Sequence, residues 1–348
     1  MKKLILLFGI CLVVLTCGKD SDEPAPNLNN GQKFDLAVSA SQGGSVEPSG
    51  GSYDSNSSVT ITASPSDGYE FTGWSGNATG STNPLTLTVN GDKNITANFS
   101  FQYTFNEIDL DEPPFSGTIF ITGDIITSTD PSLFSEIEYK GTGLRQMFDR
   151  RNGGAWINIE PYLFDTSFSD GLKTEIQINP EFTLEEATAE ANKYAFLIGQ
   201  LPTGLRQDVQ TMWIHKGEEA YGGGNNNLLV HTGMSNVYEN YWTGNIIEET
   251  LIHEATHTSI DAYHYPDRET DGAAWIDVVS KDDGCYISSY ARDYPYREDL
   301  AELMPLYVAV RYFPDRISSD IRDKILSCNF NRIKYLVSLE LDMSLYEN

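Results

Sequence analysis

The sequence predicts a multidomain chain, with a small all-β module over residues 33–100 and a larger α+β domain over residues 101–348. Three observations predict it. Between Phe34 and Phe99, apolar and polar residues alternate with the period of a strand. From Phe101 onward, strand-like runs mix with helical ones, one of which opens on the capping box Thr183-Leu-Glu-Glu186. The run Asn245 to Ile260 then has a helical pattern and carries His253-Glu254-Ala255-Thr256-His257.

The chain opens on Met1-Lys2-Lys3, followed by an apolar run from Leu4 to Leu15. A basic start, a short apolar stretch and a small-residue junction make a secretory signal over residues 1–16, too short for a membrane span. Val14-Leu15-Thr16-Cys17 resembles the lipobox of bacterial lipoproteins, which implies lipidation of Cys17 and stable anchoring in a membrane. Lys19-Asp-Ser-Asp-Glu-Pro24 resembles the acidic signal that directs lipoproteins of Bacteroides-type bacteria to the outward face of the outer membrane. Residues 17–32 are rich in Asp, Asn, Pro and Gly and read as a flexible tether.

In the module that follows, Phe34, Leu36 and Val38 form one alternating set and Val59, Ile61 and Ala63 a second. Leu85, Leu87 and Val89 form a third, and Ile95, Ala97 and Phe99 a fourth. Gly43-Gly44, Gly50-Gly51 and Asn90-Gly91-Asp92 separate the strands. Gly68-Tyr-Glu-Phe-Thr-Gly-Trp-Ser-Gly76 and Ile95-Thr-Ala-Asn-Phe99 resemble the divergent internalin-type B-repeat, a β-grasp-like module of bacterial surface proteins. That resemblance implies a spacer or adhesive unit. Tyr69, Phe71 and Trp74 read as core rather than as a ligand platform.

In the second domain, Thr118 to Ile126 and Lys173 to Ile178 read as strands. The capped helix runs to about Gly199, with Ala187, Ala191, Tyr194 and Leu197 on one side. Leu201-Pro-Thr-Gly204 reads as a turn, Thr211 to His215 and Asn227 to Thr232 as strands, and Gly222-Gly-Gly-Asn225 as the loop between them. His215 and His231 fall on those strands and read as structural. In the next helix Asn245 is the expected cap, with Glu248 completing a capping box and Ile246, Ile247, Thr250 and Leu251 on the buried side.

On that helix His253 and His257 project from one face, and Glu254 can reach a water on a shared metal. A catalytic zinc takes three protein ligands and keeps an open position. The metzincin pattern asks for glycine at position 260 and histidine at 263, where this chain has Ile260 and Tyr263. The third ligand is therefore sought among carboxylates: Asp261, Asp267, Glu269, Asp271, Asp277, Asp282, Asp283, Glu298, Asp299 and Glu302. Asp261, one turn past His257, reads as a histidine partner or helix-end residue. Glu298 and Glu302 share a helix face, so one can bind metal while the other orients a histidine.

The order strand, helix, strands and His-Glu-x-x-His helix is similar to the upper subdomain of zincin peptidases, and implies Asn227 to Thr232 as the edge strand above the cleft. Ser289-Tyr-Ala-Arg292 followed by Glu298-Asp-Leu-Ala-Glu302 resembles gluzincins of the anthrax-lethal-factor type. The resemblance implies Glu298 as ligand beside His253 and His257, Glu302 as the residue orienting a histidine, and Tyr290 as oxyanion stabiliser. The interval from tyrosine to glutamate is one residue longer here.

These readings converge on a surface-anchored zinc (Zn2+) metallopeptidase acting on extracellular proteins or peptides, in which Glu254 passes a proton to the leaving amine. A binding or adhesion lipoprotein with an inactive peptidase-like domain is the alternative. The formal net charge is −27, two units lower once Lys2 and Lys3 leave, and no basic patch interrupts it. Nucleic acid is thus excluded as a partner. Nucleophile motifs and phosphate-cradling loops are missing. Cys11 leaves with the signal, and Cys285 and Cys328 remain as a pair able to close a disulfide in an oxidising compartment.

Overall fold

The computed structural model describes residues 31–347 except 67, 119–122, 242–243 and 262–273. The signal segment, Cys17, most of the tether, Asp267, Glu269 and Asp271 lie outside the described residues. The chain divides into two compact units, Met1–Ser100 and Phe101–Asn348.

The described residues of the first unit form seven strands: β1 (Lys33–Ala40), β2 (Gly44–Glu47), β3 (Gly50–Asp54), β4 (Ser57–Pro65), β5 (Tyr69–Gly76), β6 (Leu85–Val89) and β7 (Lys93–Phe101). They form a four-stranded sheet in the order β3-β1-β7-β5 and a three-stranded sheet in the order β2-β4-β6. Strands β1 and β7 pair in parallel. The alternating residues do what their period requires: Leu36, Val38, Val59, Ile61, Ala63, Val89, Ile95 and Ala97 are buried together around Trp74. Phe71 stacks edge-on against Trp74 and Phe99, and Trp74 donates its indole N–H to the Thr82 carbonyl at 2.8 Å. No helix occurs among the described residues of this unit, so the likeness to a β-grasp is limited to the parallel central pair.

The second unit is mixed α and β. Its main sheet contains β8 (Phe134–Thr142), β11 (Tyr162–Phe168), β12 (Lys173–Ile178), β13 (Thr211–His215), β14 (Gly222–Gly224) and β15 (Asn227–His231). The order is β14-β15-β13-β12-β11-β8. Strands β9 (Arg145–Asp149) and β10 (Ala155–Ile159) form a separate ribbon. Between the parallel strands β12 and β13 the chain crosses through α1 (Leu184–Gly199) and the single turn α2 (Thr203–Arg206). The capping box forms as expected, with Thr183 Oγ1 accepting from the Glu186 N–H and Glu186 from the Thr183 N–H. Leu201 to Gly204 is therefore not a plain turn but the entry to α2.

Three further expectations are corrected. Thr118 and Gly123 to Ile126 are irregular, not strand. The Ile126 N–H donates to the Glu249 side chain at 3.0 Å, so a ladder has lost it. Residues 222–225 are not a loop: β14 pairs antiparallel with β15 through a two-residue turn, Asn225-Asn226, with positive φ at both positions. That makes β14 the sheet edge and puts Asn227 to His231 one strand inside it, while Thr232 opens α3 (Thr232–Glu239).

Helix α4 (Ile247–Ser259) packs on β14, β15 and α7 (Asp299–Tyr312). The other α-helices among the described residues are α5 (Ala274–Lys281), α6 (Ser289–Asp293) and α8 (Ser319–Ser338). Every residue of α7 from Asp299 to Val310 is buried, as expected of a helix apolar on all sides. Cys285, after α5, is bonded to Cys328 in α8, with Cα atoms 5.3 Å apart.

Candidate metal centre

The site begins with the sequence of α4. Ile247, Leu251 and Ile252 bury one side of it, and Thr250 and Thr256 return their hydroxyls to the carbonyls four residues back. The expected capping box at its start does not form as such. Asn245 Oδ1 accepts from the Ile247 N–H at 3.2 Å, but the Glu248 carboxylate takes its hydrogen bond from the Asn245 side-chain amide rather than from the Asn245 backbone N–H. The helix carries His253 and His257 to one spot, with their Nε2 atoms 3.2 Å apart.

Glu298 arrives from the residue before α7. Its Oε2 lies 3.4 Å from His253 Nε2 and 3.3 Å from His257 Nε2. Its other oxygen accepts from Arg297 Nε at 2.5 Å, which fixes the carboxylate so that one oxygen is turned to the histidines. Carboxylates stand behind both histidines. Asp261 Oδ2 sits 2.6 Å from His257 Nδ1, and Glu302 Oε1 lies 3.6 Å from His253 Nδ1 while its Oε2 accepts from Ser288 Oγ at 2.7 Å. Asp261 can hold a proton on His257 Nδ1, so a cation binding at His257 Nε2 would displace the other proton.

Three atoms able to ligate a metal thus converge within 3.2–3.4 Å of one another. Ligands held tetrahedrally at about 2.0–2.1 Å from an ion are spaced by about 3.3–3.4 Å, so the triangle fits such an ion without rearrangement. His253, His257 and Glu298 are the one such group among the described residues. The electrostatics agree. Burial works to depress the His257 pKa, but Asp261 and Glu298 outweigh it and push it up to about 10. Burial works to raise Glu298, yet the two histidines hold it well below the carboxylate range. The site is an anionic pocket suited to a cation.

The group opens into a cleft of about 530 Å³ that Glu254 and Tyr290 also line. Burial, and after it the Glu298 carboxylate, push the Tyr290 hydroxyl up to about 12, so it keeps its proton and can donate. One wall is the edge strand. A Cβ on Gly223 would lie 1.8 Å from the Glu254 carbonyl oxygen, and the Gly224 N–H donates to Thr258 Oγ1 at 2.9 Å. Only glycine allows the strand this close to α4. Behind the site, the Asp299 carboxylate accepts from Trp275 Nε1 at 2.9 Å and Arg332 Nη1 at 2.7 Å. Arg332 also bonds the Cys285 and Cys328 carbonyls, which ties the start of α7 to the disulfide.

His253, Glu254, His257, Tyr290, Glu298 and Glu302 are thus brought together. Asp277, Asp282 and Asp283 stand elsewhere, on or just after α5, with Asp282 engaged by Arg332. Sequence reasoning missed Arg297, Arg150 and the glycine strand; of these only Gly222-Gly223-Gly224 gave a signal, as a place where backbones approach closely. His215 and His231 are fully buried and stacked on each other, with Asp149 3.3 Å from His231 Nε2.

Residues 34–102 match the family model described as the divergent InlB B-repeat domain. No curated protein and no solved structure matches the chain. The first unit is therefore similar to B-repeat domains of that family, and for the second unit the argument rests on its own residues.

Proposed function

We propose that the second unit is a zinc-dependent metallopeptidase of the gluzincin type, cleaving peptide bonds of extracellular proteins or peptides. The observation that carries this reading is the triangle of His253 Nε2, His257 Nε2 and Glu298 Oε2, whose edges are those of three ligands on a tetrahedral zinc. When bound, zinc supplies a Lewis acid that polarises a carbonyl and lowers the pKa of water toward about 7. Glu254, beside a ligand and facing the cleft, takes the proton of the attacking water and delivers it to the leaving amine. The protonated Tyr290 donates to the developing oxyanion, a contribution of roughly 2.7 to 4 kcal/mol for one such donor. Arg297 and Asp261 hold Glu298 and His257 in register.

Metal content after dialysis against a mild chelator, read beside hydrolysis of a broad peptide library, tests this. The wild type and Glu254→Gln should each keep about one zinc per chain, as an intact ligand set does. Glu254→Gln should lose roughly 10²- to 10⁴-fold in rate, the usual share of a general acid-base. Glu298→Ala should purify largely metal-free. A zinc-loaded wild type that cleaves nothing would replace the reading with that of a surface binding protein, and a zinc-loaded Glu298→Ala would remove Glu298 from the ligand set.

The chain is further proposed to be an outward-facing lipoprotein anchored through Cys17, on the strength of Val14-Leu15-Thr16-Cys17 behind a short apolar run. No helix among the described residues is long and apolar enough to cross a membrane. Cys17→Ser should move the protein from the membrane fraction to the soluble one. Its persistence in a detergent phase would end the proposal.

A further inference from the structure

Two arginines line the cleft of a chain whose formal net charge is −27. They differ in what they face. Arg297 is engaged, its Nε held on Glu298 Oε1. Arg150 makes no ion pair among the described residues, and its one hydrogen bond there runs from Nη1 to the Ala220 carbonyl at a long 3.3 Å. A guanidinium has five N–H donors in a planar fork, so most of this exposed side chain's donors have no protein partner among the described residues.

Its position is nevertheless built. The guanidinium lies against Gly222, where a Cβ would stand 2.5 Å from Nη2 and 3.0 Å from Cζ. The next residue of the same strand, Gly223, rests on the backbone of Glu254. One short strand therefore sets the spacing between the arginine and the residue that handles the proton. Arg150 also borders an adjoining hollow of about 260 Å³ walled by Phe148, Trp156 and Trp213, so it stands where the cleft continues past the edge strand. Trp156, one of its walls, is 55% exposed.

We propose that Arg150 binds a carboxylate of the substrate, making the cleft selective for peptides that place a carboxylate there. The inference rests on the reading that this cleft takes peptides. A carboxylate fits the free edge of the fork with two parallel hydrogen bonds, stronger than any a neutral amide can make. Elsewhere the protein's negative charge repels such a ligand, so a contact with Arg150 decides which acidic peptides are held. The carboxylate belongs either to an aspartate or glutamate side chain or to a free C-terminus.

Calorimetric binding to the full-length, zinc-loaded Glu254→Gln protein separates these, because it needs no turnover. The probes are N-acetylated, amidated alanine hexapeptides with one glutamate walked through the chain, their glutamine and lysine twins, and the N-acetylated all-alanine hexapeptide as free acid and as amide. At least a tenfold preference is expected for one glutamate position over its glutamine twin, or for the free acid over the amide. Adding Arg150→Gln should abolish the preference, and Arg150→Glu should turn it toward lysine in place of glutamate. Equal binding of charged and neutral probes, no measurable binding of any probe, or a preference that survives Arg150→Gln overturns the inference. Hydrolysis of acidic and neutral peptides alike by the wild type would leave the metallopeptidase reading and remove this one. A carboxylate preference in a protein that cleaves nothing would do the reverse.

Discussion

The chain holds two pairs of neighbouring histidines, and their surroundings drive His257 and His215 in opposite directions. Beside His257, Asp261 and Glu298 outweigh burial and favour positive charge, whether it comes as a proton or a metal. Around His215 burial dominates; Asp149 opposes it, but the pKa is pushed down to about 4. Asp149 is largely taken by Arg151, 2.7 Å away, and its own pKa is held low although burial works to raise it. Folding thus favours neutral His215, whose ordinary value is about 6.5. Its contribution to stability is whole above about pH 6.5 and is lost as the pH falls toward about 4, amounting to about 3 kcal/mol. Denaturant unfolding of the wild type and His215→Gln at pH 7 and pH 4 should show the wild type losing about 3 kcal/mol more over that interval. Equal losses would mean that the buried imidazole is not the acid-sensitive group. At this scale the sequence revealed what is local. His253, Glu254 and His257 are set by one helical turn, and Glu298 and Glu302 by another. Arg297 and Arg150 were not legible, since the first matters only through the direction of Glu298 and the second meets Ala220 across 70 residues of chain.

The element that most shapes the cleft is the shortest strand. β14 reaches α4 because three successive residues lack side chains, and the consequences of adding one differ by position. Gly223→Ala drives a methyl into the Glu254 carbonyl, a backbone atom that cannot swing aside. It should cost about 1–3 kcal/mol of stability, the usual range for overpacking, and reduce peptide hydrolysis as Glu254 shifts. An unfolding midpoint and rate equal to wild type would show that the strand has room to spare. Strands were readable where one face is consistently buried, as in β4 and β12. Strand β8 escaped because Glu136, Glu138 and Lys140 leave it mostly exposed, and β9 and β10 because a two-stranded ribbon buries little beyond Met147. Residues 123–126 show the converse: Ile125 and Ile126 are buried as in a strand, yet the Ile126 N–H serves Glu249 at the start of α4.

Across the whole molecule, two units with separate cores should unfold separately. Only the second contains the Cys285–Cys328 bond, with a sequence separation of 43. A closure of that length is worth about 4 kcal/mol in the chain-entropy account. Calorimetry of the full chain should therefore show one transition lowered in the Cys285→Ser/Cys328→Ser variant and the other unmoved. A shift of both, or of neither, would contradict the partition. The partition itself was legible because the hydrophobic period changes at Phe101, whereas the pairing of the cysteines was not, since it depends on how α5 and α8 meet. The bond also closes a covalent ring that contains Tyr290, Glu298 and Glu302 but not His253 or Glu254. A protease that cuts once inside this ring severs the backbone without parting the pieces, and only a reductant then sets the C-terminal fragment free.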